Sequence, residues 1–304
     1  MTDTSPTQHG GHPRHGHSGH GHQAHGHHHD HDHPMADGMA EVLDLDAAAT
    51  GQYVDALADQ ISALAPRPRT IIDLGSGTGT LSLALARHLP TAEVIAVDNS
   101  PEMLGRVTAA AQRAGLDDRV HTLQADLDAA LPSDLTDVDV AWSSSTMHHF
   151  ADPAALLRSV HDALRPGGII VVVELDGLPA FLPPDSPEGA LEARLQDIMS
   201  ERGANAHPDW TPTITGAGFE LVDTVTFENR PAPRDLTARY AVAWISRMRQ
   251  GLDDDLSDTE RATLDDLLDP NHPSSLHRRD DLTVRTRRTA WIGRRSDHPR
   301  GENP

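Results

Sequence analysis

Apolar residues recur at Val54, Leu57, Ile61 and Leu64 in the stretch 50–64, and Pro66 and Pro68 follow. Spacings of three and four place these side chains on one face of a helix, which the prolines close. A short apolar run, 70–74, then leads into Gly75, Gly77 and Gly79. Leu81, Leu83, Leu85 and Leu89 mark a helix after the glycines. Apolar runs at 92–98, 119–126 and 137–144 read as further strands. Ser100-Pro101 and Asp152-Pro153 carry the pairing of an N-cap with a proline at the first helical position. The second of these helices ends at "LRPGG", 164–168, and the unbroken run 169–175 follows. Strands without polar alternation are covered on both faces. Beyond them the pattern predicts a helix at 191–203, a strand at 218–228, helices at 235–250 and 257–269, and a last strand at 281–295.

Alternating strands and helices predict a Rossmann-like α/β fold. Its sheet is seven-stranded and mostly parallel, with helices on both faces, an antiparallel last strand and a helical insertion between the final two strands. The expected domain spans 39–295, with 178–210 and 230–280 as a substrate lid. Residues 1–38 are low-complexity, with 12 of the 21 histidines between His9 and His33. This arm buries too little apolar surface to order itself, and 296–304 reads as a frayed tail.

Composition narrows the chemistry. The formal net charge of −21 argues against nucleic acid and anionic membranes as partners. All 25 basic residues are arginine. With no cysteine there are no disulfides, thiolate metal sites, iron–sulfur clusters or cysteine nucleophiles. No apolar run reaches the ~20 residues of a membrane span, and no signal-peptide core is present, so the expected compartment is the cytoplasm. His27, His28, His29, His31 and His33 are candidate ligands for nickel, zinc, copper or cobalt. A histidine-rich segment also binds such ions incidentally.

The glycine turn reads G-x-G-x-G, with Thr80 where a dinucleotide-binding turn would carry its third glycine. Asp73 precedes it. A carboxylate there repels a pyrophosphate but suits S-adenosylmethionine (SAM), which has a sulfonium, an ammonium and no phosphate. Asp98 closes the second strand about 20 residues on, the spacing of a ribose-binding acid.

Several stretches together, "IIDLGSGTG", "AEVIAVDNS", "LQADL", "DVDVAWSSSTMHHFADP" and "LRPGGIIVVVE", resemble the class I SAM-dependent methyltransferase family over about 50–295. The resemblance implies that Asp73, Gly75, Ser76, Gly77, Gly79 and Ser143 lie against the methionine end of SAM. Asp98 and Asn99 would hold the ribose, and Met103, Asp126 and Leu127 the adenine. Plain structural roles remain open: Asp98 as a loop acid, Met103 as packing, Asp126 as a turn cap. A nicotinamide dehydrogenase would share Asp98; Asp73, the glycine spacing, Asp126 and the final strand pair favour SAM.

His148 and His149 follow the fourth strand, near the expected methyl group, and either is a candidate general base. The alternative for both is loop packing. An N/D-P-P-Y signature is absent, with Trp142-Ser143-Ser144-Ser145 in its place. The expectation is therefore methyl transfer to an O, N or C atom of a small organic acceptor, by a monomer or homodimer. Tyr53 is a possible gate, and Arg285, Arg287, Arg288, Arg294 and Arg295 read as a solvated strand face, with anion binding as the minor alternative. The competing reading is a SAM-binding or metal-handling protein without turnover.

Overall fold

In the computed structural model, residues 33–296 are described, with side chains from residue 38 onward. His27, His28, His29 and His31 lie outside the described residues, as does the side chain of His33. The elements run α1 (His33–Thr50), α2 (Gln52–Leu64), β1 (Thr70–Leu74), α3 (Thr80–His88), β2 (Glu93–Asp98) and α4 (Pro101–Ala114). Next come β3 (Val120–Gln124), β4 (Val138–Ser144), α5 (Pro153–Ala163), β5 (Leu164–Leu175), α6 (Pro187–Glu201) and α7 (Thr211–Gly216). β6 (Phe219–Glu228), α8 (Arg234–Gly251), α9 (Asp258–Leu268) and β7 (Arg287–Arg295) complete the chain.

The seven strands are ordered β3-β2-β1-β4-β5-β7-β6. β7 runs antiparallel to both neighbours and the other pairings are parallel. Thus the expected sheet, its antiparallel last strand and the helices between β6 and β7 are all present. Adjacent strand residues feed opposite faces. Ile71 packs with Leu57, Leu85 and Val107 of α2, α3 and α4, whereas Ile72 packs with Leu157 and Val160 of α5 and Ile214 of α7. A third cluster joins Leu45 of α1, Leu195 of α6, Tyr240 and Ile245 of α8 and Leu264 of α9. Of these helices α1 reaches the glycine turn, where the Thr80 hydroxyl donates to Asp44 Oδ1 at 2.9 Å.

Capping follows the sequence signals. The Ser100 hydroxyl accepts from the Met103 N–H at 3.3 Å, and Asp152 accepts from Ala155 at 2.8 Å. Some boundaries differ. α1 continues from His33 to Thr50, before the first helix that periodicity marks. Its buried apolar residues pack with α6, α8 and α9 rather than on the sheet, so the strand–helix alternation does not announce it. The last strand begins at Arg287, because the residues before it leave the sheet; only Arg285 pairs, in an isolated bridge with Ala180.

Candidate active site

β1 has neighbours that connect in opposite directions, β2 on one side and β4 on the other. Such a switch point opens a crevice at the carboxyl ends of the strands. The glycine turn forms its floor. Gly75 and Ser76 donate their N–H groups to the Val97 carbonyl at 2.8 and 3.0 Å. Gly75 has φ +68° and Gly79 φ +76°. A Cβ on Gly75 would lie 2.6 Å from Thr146, and one on Gly79 would lie 2.6 Å from Val107. Only glycine meets both demands.

Asp98 ends β2 and serves two donors: Oδ2 accepts from Gly77 N–H and Oδ1 from Ser100 N–H, each at 2.9 Å. These bonds orient the carboxylate and leave further acceptor sites on both oxygens. A cavity of about 180 Å³ lies beside it, lined by Gly75, Asp98, Asn99, Ala125, Asp126, Leu127, Asp128, Thr146, His149 and Phe150. Asp126 Oδ1 accepts from Asp128 N–H at 3.0 Å, so it caps its own turn while lining the cavity.

The other expected residues sit elsewhere. Ser143 is fully buried inside β4, its hydroxyl without a partner, and Ser76 Oγ is likewise buried and unpartnered. Met103 and Ser143 are not among the lining residues. Asp73, expected to face a cationic ligand, is 3% exposed and accepts a short hydrogen bond from Ser82. Burial, reinforced by the charge of Asp98, pushes its carboxyl up to about 7, against a lowering by Ser82. Its contribution to the loop is made from beneath, inside the protein.

His148 and His149 form a single 3-10 turn after β4, their rings 4.1 Å apart. Their environments differ. His149 lines the cavity, and burial together with neighbouring His148 lowers its pKa. His148 places Nδ1 2.8 Å from Glu174 Oε2, and its backbone N–H donates to Oε1 at 3.3 Å. Glu174 is fully buried near the end of β5. A carboxylate accepting at Nδ1 holds the proton there and leaves Nε2 as the ring's proton acceptor. Glu174 is invisible to periodicity because it closes an apolar run; an acid in such a run is the signal that could have found it.

A second polar group lies beside β4. The Tyr53 hydroxyl is 3.0 Å from Ser144 Oγ, and its ring stacks on Trp142. Arg288 is 3% exposed, not solvated as its sequence context suggests. Its guanidinium sits 5.2 Å from the centre of the Tyr53 ring and pairs with Asp46 of α1. Asp46 also accepts from the Tyr240 hydroxyl at 2.8 Å. Among the described residues no group of three or more potential ligands could hold a metal ion, and no helix is long and apolar enough to cross a membrane.

Comparison with known proteins agrees with this architecture. Residues 71–168 match the family described as "Methyltransferase domain". Demethylmenaquinone methyltransferase of Thermus thermophilus is 38% identical over 188 residues, 60% of this chain and 77% of that protein. Trans-aconitate 2-methyltransferase of Streptomyces avermitilis is 27% identical over 244 residues, 70% of this chain and 86% of the relative. The solved structure of a SAM-dependent methyltransferase from Geobacter sulfurreducens shares the fold at a TM-score of 0.51 and 20% identity, covering 86% of this chain and 98% of that one. The strand order, the glycine turn and these likenesses place the chain in the SAM-dependent methyltransferase family.

Proposed function

We propose that this enzyme methylates a small organic acceptor, with the ribose of SAM on Asp98, the adenine beside Leu127 in the 125–128 turn, and His148 as base. The residues present fit SAM. The crevice offers Asp98 as a paired acceptor for two hydroxyls and apolar surface from Ala125, Leu127 and Phe150 for a planar base. Asp98, Asp126 and Asp128 make it acidic, which suits a cofactor with no phosphate. When bound, SAM supplies an electrophilic methyl group on a sulfonium that departs as a neutral thioether.

The chain's own residues have three tasks. The glycine turn lets backbone approach the ligand closely. α1, packed beside the glycine turn, limits the access of water there, and orientation with desolvation is worth up to ~7–11 kcal/mol in well-aligned cases. His148 Nε2 accepts the proton of the acceptor as the nucleophile attacks, while Glu174 stabilises the resulting imidazolium.

The observation that carries this reading is the His148–Glu174 pair, in which a fully buried carboxyl group lies 2.8 Å from the ring Nδ1, one strand from the switch-point crevice. Trans-aconitate and demethylmenaquinone, named for the two relatives, differ greatly in chemistry, and both belong in the acceptor screen. Calorimetry with S-adenosylhomocysteine (SAH) tests the cofactor half. Asp98→Ala should weaken binding by ~10²-fold or more, since it removes a charged acceptor. Unchanged affinity would remove Asp98 from the site. For the base, His148→Ala with full turnover of an identified acceptor would overturn the role.

A further inference from the structure

The cavity beside Asp98, at about 180 Å³, is smaller than the ~300–1,000 Å³ of pockets that bury a drug-sized molecule, and SAM is a molecule of that size. Its lining takes in Gly75 but neither Ser76 nor Gly77, the part of the turn expected against the methionine end of the cofactor. α1 stands on that part. A Cβ on Gly77 would lie 3.4 Å from Leu43 Cδ1, and the Thr80 hydroxyl donates to Asp44 Oδ1 at 2.9 Å. For the whole cofactor to enter, this wall has to move.

The packing of α1 allows such a movement. Its buried apolar residues Val42, Leu45 and Ala49 belong to the cluster shared with α6, α8 and α9. Those of α2, Val54, Leu57 and Ile61, belong to a cluster of the sheet. The border between the two clusters falls at Gly51, which joins the helices. A Cβ there would lie 2.4 Å from the Ala47 carbonyl oxygen, so the junction accepts only glycine, and small residues at element ends commonly absorb the dihedral change of a hinge. The side-chain bonds that tie α1 to the sheet side are polar: Asp44 to Thr80, and Asp46 to Arg288 of β7. Water can replace a polar partner on opening, whereas an apolar interface would lose its burial outright. Arg288 keeps its place when the pair parts, because Thr286 accepts from its Nη1 at 3.2 Å and the Tyr53 ring centre lies 5.2 Å from its guanidinium.

We propose that α1 is a latched lid on the cofactor crevice. It turns about Gly51, parts Asp44 from Thr80 and Asp46 from Arg288 to admit the cofactor, and restores both contacts once the cofactor is seated. The Tyr240 hydroxyl donates to Asp46 at 2.8 Å and keeps that carboxylate on α8 while the latch is open, so α1 and α8 move together. The inference rests on the reading of the crevice as the SAM site and adds how the cofactor gains entry. The same contacts hold the lid before and after binding. The latch therefore sets the rates of entry and exit and leaves the affinity nearly unchanged.

The test is surface plasmon resonance with SAH on the full chain, tethered at its C terminus, with hydrogen exchange over α1 and α2 read in parallel. Asp44→Ala changes an exposed side chain, so folding is not at stake. Asp46→Asn keeps an acceptor for Tyr240 and removes the charge that holds Arg288. Association and dissociation rates should both rise, about tenfold in Asp46→Asn and about threefold in Asp44→Ala, with Kd changing less than about twofold in either. Amides of 42–50 should exchange faster in both variants, and those of 54–64 as in wild type. Wild-type rates in both variants would overturn the lid. So would a Kd weakened through dissociation alone, which makes α1 a fixed wall of the site. Faster exchange of α2 together with α1 would remove the hinge at Gly51 and the proposal with it. Each of these results leaves the cofactor reading standing; wild type that binds no SAH would bring down that reading, and the lid with it.

Discussion

Asp73→Asn isolates the buried carboxyl beneath the glycine turn. Folding raises its pKa from the model-peptide value of 3.8 to about 7, chiefly through burial. A raised acid binds more protons folded than unfolded between those two values. Stability from this group is therefore greatest below about pH 4, falls as the pH rises towards 7, and is level above it. A shift of about three units at ~1.36 kcal/mol each gives ~4 kcal/mol as the order of magnitude. Asparagine cannot titrate, so the difference in unfolding free energy between wild type and Asp73→Asn reports this group alone. The lowered carboxyls, such as Asp139 and Asp281, add pH dependence of opposite sign, but it cancels in the difference. Urea unfolding at half-unit steps from pH 4 to 8.5 is the assay. The wild type should lose ~4 kcal/mol relative to the variant across that window, with most of the change below pH 7. A difference that stays flat would show that the carboxyl ionises freely, and the account of Asp73 as a neutral interior group would fall.

Three further outcomes follow from the same geometry. Glu174→Gln replaces an acceptor-only group with an amide that can donate to His148 Nδ1; turnover should fall on the order of 10²–10⁴-fold with SAH affinity held. Nitrogen-15 shifts of His148 should show the proton moving from Nδ1 to Nε2, and an unchanged tautomer would contradict the positioning role. Asp46→Ala strands the buried Arg288 guanidinium and removes the Tyr240 partner; chemical denaturation should show a loss of about 3 kcal/mol. Gly75→Ala forces a side chain into a φ of +68° and into Thr146, so unfolding should register a loss of ~1–2 kcal/mol or more. SAH binding should weaken in parallel; wild-type affinity in that variant would mean the turn tolerates displacement.

Much of the core fold is legible along the chain because its signals are local. The Ser100-Pro101 and Asp152-Pro153 starts, the glycine turn and the unbroken run ending at Leu175 each depend on neighbours in sequence. α1 escapes because its buried residues pack on α8 within the insertion, and a helix that docks on another helix leaves no mark on the strand–helix rhythm. Asp98 could be chosen from its spacing, since a strand end and a turn about 20 residues apart meet in any sheet of this kind. His148 and His149 could be picked out as a pair, but nothing in "MHHF" says which ring meets a carboxylate.

By itself the sequence determined the alternating α/β plan, the glycine turn with Asp98 at the end of the next strand and the exclusion of cysteine chemistry. These follow from periodicity, residue type and short spacings. Tertiary structure alone decided the environments. Glu174 reaches His148 across 26 residues, and Arg288 reaches Asp46 across 242. The same folding buries Asp73 beneath the glycine turn. The physical reason is that ionisation, tautomer and pairing depend on the dielectric and the partners that folding assembles, and residue order does not carry either.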